Sequence, residues 1–199
     1  SHIKQDIKHL LCNKLSLSLI AYAMLIFTPL CVLKESLGVM FFTGYYDFDL
    51  SQAAHQMNII LFASIIAAPA LGWVSDKMEA RRPIIIATPI LLLLVFAAIL
   101  FRVENIIPLS KTVVIGSIFA LFGFITWGFL LSYSVFKETH SAHIVSTGLG
   151  LMNSINMLGG ILSVPLITSV LESLSSGANG MGIGDQYFYA FLILPVFVL

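Results

Sequence analysis

The sequence predicts an all-α polytopic membrane protein, a six-helix bundle. Three observations carry that expectation: scarce charge, six long apolar runs, and basic residues gathered on one side of them. Of 199 residues, 58% are hydrophobic and only 10% charged, with a mean hydropathy of +0.98. Ordinary soluble domains carry about 25% charged residues. A chain so poor in charge cannot cover itself against water, so the expected solvent is membrane lipid. Net charge is zero, and no basic stripe points to a nucleic-acid partner.

A hydrocarbon core about 30 Å thick needs about 20 apolar residues in a helix. The first run covers 15–43 and is interrupted by Lys34 and Glu35. It follows a polar start, "SHIKQDIKHLLCNK", which has no small-residue cleavage site beside it. The second covers 53–75 and the third 83–101, opening on Pro83, a natural first-turn residue. The fourth covers 112–136 and the fifth 144–171. The sixth, 187–199, has 13 residues. At 1.5 Å each it reaches only about 20 Å, so the sequence reads as a fragment whose last helix continues.

Helix character divides the runs. The third and sixth are apolar nearly all round and suit lipid. The fifth, "TGLGLMNSINMLGGILSVPL", mixes Gly148, Gly150, Gly159 and Gly160 with Asn153, Ser154 and Asn156. Small residues allow close helix approach, and polar ones need protein or water beside them. The fourth shares this trait through Gly116, Gly123, Thr126, Trp127, Gly128 and Ser132. Runs one, two, four and five are therefore expected to face inward. "PALGWVSD" and "PLITSVLE" each set an acid seven residues after a proline, ending the second and fifth runs. A 3+3 inverted repeat would produce that echo.

Seven of the ten basic residues, Lys4, Lys8, Lys14, Lys77, Arg81, Arg82 and Lys137, fall on one side of the runs. The other side has Arg102 and Lys111, while "GYYDFDLSQ" and "ESLSSGANGMGIGDQ" have no Lys or Arg. The positive-inside rule then makes the N-terminus cytoplasmic, in a plasma membrane of the bacterial inner-membrane kind. Cys12 and Cys31 fit no metal or disulfide spacing and read as buried free thiols. His140 and His143 have a metal-like spacing but no third ligand, so neither metal nor cofactor is expected.

The densest charge lies between the second and third runs: Asp76, Lys77, Glu79, Arg81 and Arg82. Membrane anchoring alone accounts for the arginines. The alternative reading gives Gly72 a close helix approach and Asp76 a basic partner across it, a pair able to hold one of two arrangements. "GWVSDKMEARR" resembles the loop signature of the major facilitator superfamily, G-x-x-x-D-[RK]-x-G-[RK]-[RK]. Gly72, Asp76, Lys77 and Arg81 match, and Arg82 extends the match. Glu79 stands where the family has glycine and Ala80 where it has a basic residue. "PLCVLKESLGVMFF" resembles the family's seventh helix and "GLGLMNSINMLGGILSVPLI" its eleventh.

The resemblance implies the C-terminal half, helices seven to twelve, of a twelve-helix major facilitator fold. It further implies an N-terminal six-helix half as partner, a midplane solute site between the halves, and rocking that gives alternating access. In such transporters the first and fourth helices of a half line the cavity, the second and fifth gate it, and the third and sixth face lipid.

Lys34 and Glu35 are the leading solute or proton-coupling candidates, because an ionised group in a membrane helix costs about 2.5–3.5 kcal/mol on insertion scales. Either the helix ends at Leu33 and they form a headgroup-level pair, or it continues to Thr43 and they face the cavity. In the second case Glu35 is a proton carrier or gate and Lys34 a counter-ion or anion contact, and transport is solute–proton symport. Asn153 and Asn156 stand three apart on one helix face, as interhelical glue or a solute contact. Tyr22 and Trp127 are further cavity candidates, with Thr28, Gln56 and Asn58 behind them. These side chains suit a small polar or charged solute of the amino-acid or organic-anion class. Two rivals are weighed: a non-transporting scaffold seamed by the fifth helix, and an intramembrane enzyme. The second lacks a G-x-S-x-G elbow or a metal constellation, so no enzyme is expected.

Overall fold

A computed structural model of the protein describes residues 2–177 and 181–199. Ala178, Asn179 and Gly180, part of the loop read as free of Lys and Arg, lie outside the described residues. The described chain is helical, with no strand among these residues. Helix α1 spans His2–Cys12. The first span runs Lys14–Tyr46 as α2 (Lys14–Cys31), a π-helical turn (Val32–Leu37) and α3 (Gly38–Tyr46). The second is α4 (Leu50–Lys77) and the third α5 (Arg82–Leu100). The fourth joins α6 (Lys111–Thr126), a 3₁₀ turn (Trp127–Phe129) and α7 (Leu130–Thr139). The fifth is α8 (Ala142–Ser176). These five are long and apolar enough to cross a membrane; α9 (Ile183–Phe191) and the short α10 (Ile193–Val196) follow.

Local chemistry sets the helix starts. Asn13 stands between α1 and α2, and its side-chain oxygen accepts from the Leu15 and Ser16 amides at 2.9 and 3.3 Å. This cap satisfies amides that have no partner inside the helix. It makes the polar start a helix of its own, with Leu10 buried, where the sequence reads only as a lead-in. Asp49 and Gln52 form a reciprocal capping box at the head of α4.

Packing follows small residues. The second span lies chiefly on the fourth, and the fifth chiefly on the first. Exchanging the first three spans for the last three turns one contact into the other, which is what a 3+3 repeat requires. Gly123 meets the Ile60 backbone in one contact; Gly159 meets Thr28 and Met24 in the other. Such approaches leave no room for a Cβ.

One expectation needs correction. Of the most apolar stretch of each span, 50% and 56% is buried for the first and fourth, but only 17% and 28% for the second and fifth. The second and fifth turn inward on one face only. Gly148, Gly159, Gly160 and Ser163 are buried, while Leu158, Ile161 and Leu162 are exposed elsewhere around the helix. On α4, Phe62, Ile65, Ile66 and Trp73 form the matching exposed stripe.

Contacts between loops separate the bundle's two ends. Arg81 meets Glu138, and Ser16 meets His140, so the N-terminal helix and the charged loop share one end. At the other end Lys111 Nζ donates to the Tyr46 carbonyl at 2.7 Å, and the Arg102 guanidinium lies 4.0 Å from the Tyr45 ring centre. Glu104 is buried there; neither carboxylate oxygen has a hydrogen-bond partner among the described residues, and Arg102 Nη1 is 4.0 Å away. These groups close over an aromatic cluster that includes Phe41, Phe42, Phe119 and Phe191.

Candidate transport groove and charged loop

The chain stays helical past Lys34 and Glu35 to Tyr46. Pro29, within α2, has no amide proton to donate, and directly after Cys31 the helix widens into the π turn that holds both charges. The span has 33 residues, about 50 Å, so it overshoots a 30 Å core by about 10 Å at each end. Lys34 and Glu35 lie four and five residues past its midpoint, Leu30, about 6–8 Å along the axis, a distance that falls within the core of a bilayer centred on the span. Lys34 Nζ donates to Glu35 Oε1 at 3.1 Å, and their side chains are 28% and 57% exposed. Glu35 and Ser36 open onto a groove between the first and fifth spans, walled by Phe27, Met157, Ile161 and Val164.

The two asparagines do not share a surface, contrary to the spacing argument. Three residues advance a helix by about 300°, a 60° offset, and the edge of the buried face of α8 runs between them. Asn156 is 1% exposed and its Nδ2 donates to Tyr133 Oη at 2.9 Å; its Oδ1 has no partner. Asn153 is exposed, on the side of α8 that carries Met157 and Ile161. Trp127 sits in the 3₁₀ turn that interrupts the fourth span, its ring 5.8 Å from Phe129 and its buried Nε1 unpartnered. Tyr22 lies apart from the groove: its hydroxyl donates to the Ile85 carbonyl of the third span at 3.0 Å. Thr28 donates to its own helix at Met24, and Gln56 bridges to the Thr112 carbonyl at 3.3 Å. Asn58 is exposed.

In the charged loop one arginine gathers the acids. Arg81 Nη1 donates to Asp76 and, at 2.9 Å, to Ser75 Oγ. Its Nε and Nη2 donate to Glu138 Oε1 at 3.2 and 3.0 Å. The Asp76 and Glu138 hydrogen bonds raise the guanidinium pKa further, so Arg81 stays charged. Glu138, at the end of α7, is the residue that sequence reasoning missed. Its only signal was an acid at the end of the fourth run, on the side that carries the basic residues. Lys77 lies over the Trp73 ring at 5.0 Å, and Arg82 is exposed. Glu79 takes the left-handed conformation, φ 50°, at the position where the signature has glycine. The turn survives the missing glycine at a steric cost.

Two further details correct the sequence reading. Among the described residues nothing lies within 4 Å of a Cβ placed on Gly72, so its close helix approach is not made by any of them. Asp76 likewise finds its base inside the loop rather than across a helix contact. At the same end His140 bonds Ser16 at 2.8 Å and stacks on Phe136 at 4.1 Å, while His143 is exposed. No group of three metal-ligating side chains occurs among the described residues.

No curated protein and no solved structure matches the chain. The sequence profile of the Major Facilitator Superfamily matches residues 2–164. That match takes in four complete spans, the charged loop and most of the fifth span, and it shows that this membrane protein belongs to the Major Facilitator Superfamily.

Proposed function

We propose that this chain works as part of a secondary transporter that moves a small polar or charged solute across the plasma membrane by alternating access. The observation that carries the reading is Glu35, paired to Lys34 at membrane depth and open to a groove rather than sealed in the core. Ionisable groups at that depth are costly and normally mark a solute or proton path. Glu35 is the proposed proton carrier of a symport cycle, and Lys34 its counter-ion when no solute is bound. Asn153, on the exposed side of α8, is a further solute contact; Asn156 and Trp127 hold buried polar atoms without a partner among the described residues.

An N-terminal six-helix half completes the crevice. The exposed apolar stripes of the second and fifth spans and the open space at Gly72 support a partner bundle on that face. The Arg81–Asp76–Glu138 cluster ties the second, third and fourth spans at the end that the basic residues mark as cytoplasmic. It is proposed to hold one of the two access states and to loosen in the other.

The test is a solute screen on the full-length protein by thermal shift, since a ligand that binds only the folded state raises its melting point by mass action. Hits are then followed in proteoliposomes that carry an internal pH dye. A transported hit should acidify wild-type vesicles, and Glu35→Gln should abolish the acidification. If Glu35→Gln leaves solute-driven proton entry and its pH dependence unchanged, the coupling role is wrong. If no solute crosses in wild type, the transport reading itself fails.

A further inference from the structure

The next step rests on the transport reading and narrows its solute. We infer that the groove binds the zwitterion of an α-amino acid with an uncharged, apolar side chain. Its charge count is the starting point. Lys34 and Glu35 are neighbours in the chain and pair with one another at 3.1 Å; no other side chain among the described residues bonds or ion-pairs with either. An ammonium has three donors and a carboxylate has room for about four acceptor contacts. One shared hydrogen bond leaves both groups with unused capacity, and Glu35 faces the groove with more than half its side chain exposed.

Glu35 is the charged side chain that lines the groove, and Lys34, bonded to it at 3.1 Å, sets the opposite charge at its edge; such a pair has no net preference for an anion or a cation. An organic anion on Lys34 would meet Glu35 beside it, and a cation on Glu35 would meet Lys34. A zwitterion satisfies both, its carboxylate on Lys34 and its ammonium on Glu35, because its own charges are also close neighbours. While Glu35 is ionised, the exchange leaves the net charge of the crevice unchanged, which matters most where water is scarce and charge interactions are strong. The walls define the remainder of the ligand. Phe27, Met157, Ile161 and Val164 are apolar, and Ser36 is the one hydroxyl beside Glu35. Among the described residues no charged side chain other than Glu35 lines the groove to receive a charged substituent.

The experiment measures binding of alanine, valine, leucine, methionine and phenylalanine to the full-length protein by calorimetry. The tightest binder is then compared with its analogue lacking the amino group and its analogue lacking the carboxylate. Each analogue should bind at least about tenfold more weakly than the parent. Lys34→Met should remove the preference for the carboxylate and Glu35→Gln the preference for the ammonium. Both variants retain the helix shape, and unchanged melting points without ligand verify their folding. Equal binding of an analogue and its parent overturns the zwitterion, as does parent binding that both substitutions leave unchanged. Silence from all five amino acids overturns it too. In each case the proteoliposome screen reads the transport function separately, since a solute of another class would still cross.

Discussion

The helix contacts predict that two glycine-to-alanine changes of identical chemistry have opposite effects. A Cβ added to Gly123 falls 2.7 Å from the Ile60 carbonyl oxygen and 3.3 Å from the Ile60 Cα, both backbone atoms of the second span. Rotating a side chain cannot relieve that overlap; the second and fourth spans must separate. Overpacking of this kind costs about 1–3 kcal/mol. The alanine also returns about 1 kcal/mol of helix propensity, so Gly123→Ala should lose about 0–2 kcal/mol. Gly150, in the fifth span, has nothing within 4 Å of its added Cβ. Gly150→Ala therefore keeps only the propensity gain and should be stabilising by about 1 kcal/mol. The difference, about 1–3 kcal/mol, isolates the steric cost, because propensity cancels. At about 2–4 °C per kcal/mol for a chain of this size, the two variants should melt about 2–12 °C apart, with Gly123→Ala lower. The assay is thermal unfolding of the 199-residue chain in detergent micelles. Equal shifts, or a loss at Gly150 matching that at Gly123, would refute the argued closeness of the second and fourth spans.

Three other outcomes are expected. Arg102→Ala should destabilise by about 3 kcal/mol because it strips the buried Glu104 carboxylate of its nearest cation, and adding Glu104→Gln should restore most of the loss; additive losses in denaturant titrations would contradict this. Glu79→Gly should stabilise the charged loop by about 0.5–1 kcal/mol, since glycine takes φ 50° without strain, whereas Glu79→Ala should have little effect; a higher melting point for the glycine variant alone is the expected result. A double-mutant cycle on Arg81 and Glu138 should give a coupling of only about 0.2–1 kcal/mol, because their side chains are 26% and 54% exposed. That coupling should shrink in 1 M salt, and a larger, salt-insensitive value would place the pair in a drier setting than the structure gives it.

Parts of the candidate site were legible in the chain before any fold was known. Lys34 and Glu35 stand out because charge is rare in a long apolar run, and the loop acids and arginines because they crowd together. What those charges touch was not legible. Arg81 reaches Glu138, 57 residues away, and Tyr22 reaches Ile85, 63 residues away. Asn156 is claimed by Tyr133 while Asn153 is left at the surface, although both read alike on a helical wheel. Glu104 passes for an ordinary loop acid until Tyr45, Tyr46 and Arg102 are seen to close around it.

The primary structure alone determined that this is an all-α, many-span membrane chain of a transporter family. A backbone in lipid must satisfy its own hydrogen bonds, so apolar length translates into helices one segment at a time. Tertiary structure alone decided which face of each span is buried, where the helix widens beneath Lys34, and which acid Arg81 holds. Those outcomes come from close packing between segments distant in the chain, where a glycine, a carbonyl or a ring on one helix sets the position of another. Local composition carries no record of such neighbours.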